Sequence, residues 1–173
     1  MPGPVPNQGH SAMSDDRNQT DPVQCSDGRQ SETAAAIQRG VGRMLRSAGF
    51  ASLYELGLAN GRRADVIALG RKGEIWIIEI KSSPADYLSD SKWRDYMDYC
   101  DRFHFAIPPE MDPNLIDASA GLIIADAWGA EIIREADEDP LPAARRKAVT
   151  LLIARAAAMR LQSAADPNAD SLL

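Results

Sequence analysis

The stretch from Gly61 to Lys81, GRRADVIALGRKGEIWIIEIK, leaves this chain little choice of fold. Val66 to Leu69 and Ile75 to Ile80 are short apolar runs rich in β-branched residues and bounded by turn signals, so they read as strands. Arg71-Lys72-Gly73 suits a three-residue hairpin loop in which Gly73 takes the left-handed conformation. Gly70 then faces Glu74, which sets Asp65 directly opposite Glu79. Side chains alternate along a strand, so Asp65, Glu79 and Lys81 share one face with Ile67, Leu69, Ile75 and Ile77. The other face is Val66, Ala68, Trp76, Ile78 and Ile80. Both faces are apolar away from the charges, which predicts a central pair of strands covered on both sides.

Three charges at one end of such a pair call for a reason. Two carboxylates about 5 Å apart repel by roughly 3 kcal/mol at an effective dielectric of about 20, so a positive group belongs beside them. Lys81 is one candidate. A hard divalent cation such as Mg²⁺ is the other, since it takes oxygen ligands from one or two carboxylates plus waters and phosphates. A cation there polarises a phosphoryl oxygen and acidifies a bound water, while the lysine orients that water or stabilises developing negative charge. The same three charges also fit a solvated salt-bridge ladder at a sheet end, and spacing alone does not choose between the two.

The order of these elements, with Asp65 on one strand, Glu79-Ile80-Lys81 ending the next and a helix after it, resembles the PD-(D/E)XK nuclease superfamily. Ala64 stands where that motif has its proline. More narrowly, Gly61-Arg62-Arg63-Ala64-Asp65, Glu79-Ile80-Lys81-Ser82-Ser83, Asp90-Ser91-Lys92-Trp93 and Tyr99-Cys100-Asp101-Arg102-Phe103 are similar to the bacterial MmcB-like DNA repair proteins. The resemblance covers roughly Gln38 to Leu161. It implies an α/β fold with a restriction-endonuclease-like core, a mixed central sheet flanked by helices, and a role in DNA repair. It also implies Asp65 and Glu79 as ligands of Mg²⁺ or Mn²⁺ and Lys81 as catalytic lysine. DNA is the implied partner, with other repair proteins as further candidates. Superfamily members often place a third acid on the first helix. Glu32 is the acid available there, but it sits in the first turn, where complementing the helix dipole accounts for it.

The 173 residues suit one domain, and 45% hydrophobic with 25% charged residues are globular values. No apolar run is long enough to span a membrane and the N-terminus has no signal-peptide pattern, so a cytoplasmic protein is expected. Cys25, Cys100, His10 and His104 show no zinc spacing. The net charge of −6 is not that of a strongly basic nucleic-acid binder, although Leu141 to Gln162 carries Arg145, Arg146, Lys147, Arg155 and Arg160 with no acid. A domain with local basic patches binds DNA weakly and with marked salt sensitivity.

Residues 1–30 are rich in Pro, Gly, Asn, Gln, Ser and Asp and read as a disordered tail, residues 31–164 as the folded domain, and residues 165–173 as a frayed end. Ile37, Val41, Met44, Leu45 and Ala48 predict a first helix capped by Ser31. Leu53 to Ala59 predicts the first strand, followed by Asn60-Gly61. A two-residue loop sets Glu55 opposite Val66, and a three-residue loop ending at Arg62 sets it opposite Ile67, on the face of Asp65. In the second case Glu55 becomes a third metal ligand. Arg62, Arg63 and Lys92 are candidate phosphate contacts, against the plainer reading of solvated surface charge. Further on, the pattern predicts a helix over Asp86 to Cys100 with Trp93, Tyr96, Met97 and Cys100 as its apolar stripe, and a strand over Arg102 to Ile107. A hairpin over Gly121 to Glu135 and a helix over Pro142 to Gln162 complete the domain.

Overall fold

The computed structural model describes residues 31–166 together with Met1 and Gly3; the two tails expected at the chain ends lie almost wholly outside them. Six strands form one sheet in chain order: β1 (Ala51–Gly57), β2 (Arg63–Leu69), β3 (Ile75–Ile80), β4 (Arg102–Ile107), β5 (Gly121–Ala125) and β6 (Ala130–Arg134). The first three run antiparallel, β3, β4 and β5 run parallel, and β6 returns antiparallel. Helices cover both faces, giving a mixed α/β fold.

Helix α1 (Glu32–Ser47) lies on one face, burying Ile37, Val41 and Leu45 against Val66, Ala68, Ile78, Ile80 and Ile123. Ser31 caps it by accepting the Ala34 N–H at 3.1 Å. The other face carries the larger core, where Ile67, Ile75, Ile77, Phe103 and Phe105 meet Trp93, Tyr96, Tyr99, Val149 and Ile153. The last two come from α3 (Ala143–Ala165), whose inward stripe is Val149 and Ile153, while Leu151 and Met159 are exposed.

The helix expected over Asp86 to Cys100 is two pieces. Helix α2 (Pro84–Ser89) stops at Asp90, and a 3₁₀ segment follows over Trp93–Tyr99. A 3₁₀ turn repeats every three residues, so its buried stripe is Trp93, Tyr96 and Tyr99, and Met97 turns outward.

The β2–β3 hairpin has the expected register, with Val66 facing Ile78 and Leu69 facing Ile75, and its loop closes through the Gly70 N–H to the Glu74 carbonyl at 2.8 Å with Gly73 at φ +88°. The β1–β2 hairpin follows neither expected register. Its loop is Ala59-Asn60-Gly61, closed by the Leu58 N–H to the Arg62 carbonyl at 2.7 Å, with Gly61 supplying φ +81°. That choice pairs Tyr54 with Val66 and Leu56 with Ala64, so Glu55 falls level with Asp65.

Asp101 ties the far core together. Its carboxylate accepts the Ile75 N–H at 2.7 Å and the Leu141 N–H at 2.8 Å, and Arg146 grips it at 2.7 and 2.6 Å while also donating to the Gly73 carbonyl. Burial works to raise the Asp101 pKa, yet these bonds, led by Arg146, hold it below the usual carboxylate range. Arg146 is therefore a structural clamp, and the Arg145-Arg146-Lys147 run is not a freely available patch.

Candidate functional site

Asp65 and Glu79 meet where β2 begins and β3 ends. Each carboxylate replaces part of the backbone ladder: Glu79 Oε1 accepts the Asp65 N–H at 3.1 Å, and Asp65 Oδ2 accepts the Ile80 N–H at 2.8 Å. This reciprocal pair fixes both side chains on the face that also carries Ile67, Ile75 and Ile77. Glu79 is 4% exposed and Lys81 6% exposed, so the cluster is not a solvated ladder.

Burial sets the charge state. Desolvation, then repulsion from Asp65, pushes the Glu79 carboxyl up to about 8. Desolvation also raises Asp65, to about 6, with Glu55 and Asp86 adding negative field and the Ile80 N–H opposing. The pair carries more negative charge than its surroundings compensate, which favours a shared proton on the Glu79 side.

Lys81 does not supply the missing compensation in full, because its Nζ lies 2.7 Å from Asp90 Oδ2. The ammonium also sits 5.9 Å from the Phe105 ring centroid. Asp90 is placed for this by the break between α2 and the 3₁₀ segment. Its other oxygen accepts the Lys92 N–H at 3.2 Å and holds that break open. Just upstream, Asp86 accepts the Ser82 N–H at 2.9 Å and the Ser82 hydroxyl at 3.2 Å, while its own N–H donates to Ser83.

Tyr96 closes the site from the 3₁₀ segment. Its hydroxyl donates to the Arg63 carbonyl at 3.0 Å, and burial followed by the field of Glu79 drives its pKa far up, keeping the phenol neutral. Sequence reasoning had Tyr96 only as core and gave Asp90 no role. A buried Tyr requires a partner for its hydroxyl, which is the signal that separates it from a Phe in the same stripe.

The remaining sequence candidates fall around this centre. Glu55 is level with Asp65, but its backbone takes φ +51° and its carboxylate pairs with Arg63 at 2.5 Å. The left-handed residue resets the alternation of β1, so Leu53 and Leu56, three residues apart, both pack into the same core. Arg62 is held by Asp95 through Nε at 3.0 Å and Nη2 at 2.8 Å. The Lys92 side chain is exposed. Among the described residues no group of three or more His, Cys, Asp or Glu side chains is gathered as a metal cage. Asp65 and Glu79 do fit a hard cation that takes one or two carboxylates: they are facing oxygen donors, half-buried and buried respectively, and undercompensated. Among the described residues no helix is long and apolar enough to cross a membrane.

Residues 21–168 match the family model described as DNA repair protein MmcB-like. A solved structure of a protein of unknown function from Silicibacter pomeroyi is 46% identical, with a TM-score of 0.77, covering 82% of this chain and 97% of that one. No curated protein matches the chain.

Proposed function

The chain belongs to the MmcB-like family of DNA repair proteins, and from that premise we propose that it acts on DNA through a metal-dependent phosphodiesterase centre of PD-(D/E)XK type. The reading rests on one observation: two facing carboxylates lifted in pKa, Glu79 buried and Asp65 half-buried, lie on one strand-pair face with a buried lysine. Asp65 and Glu79 would hold Mg²⁺ or Mn²⁺, with the Ile80 carbonyl as a further oxygen. The bound cation would supply Lewis-acid polarisation of the scissile phosphate and acidification of a water.

The chain's own residues do the positioning. The Asp65 and Ile80 N–H groups orient the two carboxylates before any ligand arrives, so little reorganisation accompanies binding. Lys81, kept oriented by Asp90, donates from Nζ to the attacking water and stabilises negative charge developing on the phosphate. Tyr96, neutral and fixed on the Arg63 carbonyl, stands beside Glu79.

A second reading is favoured by two observations, the engagement of Lys81 by Asp90 and of Glu55 by Arg63. It makes the protein a non-catalytic DNA-binding or adaptor module that retains the nuclease fold and recruits other repair proteins. Calorimetric titration of Mn²⁺ and Mg²⁺ into the wild type and Asp65→Asn separates the two. The nuclease reading expects binding that strengthens from pH 6 to pH 8, as the carboxyls ionise, and vanishes in the variant. Equal heats from both folded proteins would rule it out.

A further inference from the structure

On the sheet face opposite the carboxylates, α1 presents Arg39, Arg43 and Arg46, spaced four and three residues apart and hence on one side of the helix. They border a groove of about 550 Å³ between α1 and the edge strand β1, with Phe50, Ser52 and Tyr54 along it. Gly42 lets the Tyr54 hydroxyl lie against the helix, where a Cβ would come within 2.2 Å of it. This chain, acidic overall, pairs Arg62, Arg94, Arg102 and Arg146 with carboxylates. Among the described residues Arg39 and Arg46 have no such partner. Arg43 donates to the Ala127 carbonyl in the β5–β6 turn. The next residue, Trp128, is 83% exposed. Asp126 of that turn opposes Arg43; its carboxylate is engaged first by the Gly129 N–H at 2.9 Å and then by the Trp128 N–H at 2.7 Å.

Two unpaired guanidiniums, Arg39 and Arg46, flanking the engaged Arg43 suit the spaced phosphates of a nucleic-acid backbone, and the exposed indole next to Arg43's partner Ala127 offers a face to an unpaired base. In a duplex the base faces are already stacked, so an indole platform selects single strands. We propose that the α1 arginine groove and the Trp128 turn form a binding surface for single-stranded DNA, distinct from the carboxylate centre. β1 links the two in register: Tyr54 of the groove precedes Glu55, which is level with Asp65. A strand held in the groove is thereby delivered along the sheet edge toward the carboxylates, yet holding it requires no metal.

The test is binding of an oligothymidylate of about 20 nucleotides in EDTA, read by indole fluorescence and by anisotropy of a labelled strand. Trp93 is buried, and Trp76 is partly covered and packed against Phe50 of the groove, so the Trp128→Phe variant assigns the quench. The expected results are quenching on binding, at least a tenfold loss of affinity in Arg39→Glu/Arg46→Glu, and a shallower salt dependence by about 0.7 per lost phosphate contact. Trp128→Phe abolishes the quench while circular dichroism stays native. Unchanged affinity in the folded double variant overturns the proposal, as does tighter binding of the matching duplex without quenching. Because metal is absent, either result leaves the calorimetric test of the carboxylate centre undisturbed.

Discussion

Replacing Glu79 by Gln should stabilise the metal-free protein at alkaline pH and leave it unchanged in acid. The Glu79 carboxyl is raised from 4.5 to about 8 by burial first and by Asp65 second. Between those values the folded protein holds a proton that the unfolded chain has released, so stability falls as pH rises through the interval. At about 1.4 kcal/mol per unit the shift bounds the loss near ~5 kcal/mol, and solvent entry and relaxation of the pair reduce it to about 1–3 kcal/mol. Gln keeps an oxygen for the Asp65 N–H and carries no charge, so the loss disappears. For a domain of this size that is a rise in Tm of roughly 3–10 °C. Thermal unfolding in EDTA at pH 5 and at pH 8.5 reads it directly: the two proteins should nearly coincide at pH 5 and separate at pH 8.5, with Gln the more stable. A gap no wider at pH 8.5 than at pH 5 would show that Glu79 is ionised in the fold and that the electrostatic account of the site is wrong. A charge that a fold tolerates only at a cost to stability is a common signature of a functional group.

Three further perturbations probe other parts of the structure. Asp101→Ala removes the acceptor of the Ile75, Leu141 and Arg146 bonds and should cost about 3–5 kcal/mol in urea denaturation, since it also strands Arg146. Gly40→Ala places a Cβ within 2.2 Å of the Asp126 carbonyl oxygen and 2.3 Å of that of Gly129, so it should destabilise by about 1–3 kcal/mol or more; Gly42→Ala, which meets only the movable Tyr54 side chain, should cost less. Asp90→Asn takes the counter-ion from a nearly buried ammonium, and should lower stability by about 2–4 kcal/mol and slow any metal-dependent cleavage, both read on the same preparation.

The sequence carried the β2–β3 hairpin because a three-residue loop with a terminal glycine defines its register, and that register alone brings Asp65 to Glu79. The neighbouring hairpin obeyed the same rule one residue earlier than expected. Asn60-Gly61 draws attention to itself as a two-residue turn, while the loop in fact begins at Ala59 and ends on Gly61. Glu55 was beyond reach for a related reason: its left-handed φ of +51° resets the strand's alternation, and nothing in a Tyr-Glu-Leu triplet announces that. The broken helix was legible in retrospect, since Trp93, Tyr96 and Tyr99 recur every three residues, a 3₁₀ period. Asp90 could not be found by spacing, because its pairing with Lys81 depends on where α2 stops. The arginines of α1 carry no signal in the sequence because a helix's polar face is ordinarily solvent-exposed, and only the lack of acidic partners sets Arg39 and Arg46 apart.

The most direct test of the central claim is a cleavage screen with Mg²⁺ or Mn²⁺ over single-stranded, nicked, gapped and mismatched DNA, comparing the wild type with Asp65→Asn and Lys81→Ala. The account predicts metal-dependent cutting of at least one substrate by the wild type and none by either variant, with circular dichroism showing both folded. Cutting that survives both substitutions, or no cutting of any substrate by a wild type that binds DNA, would contradict it.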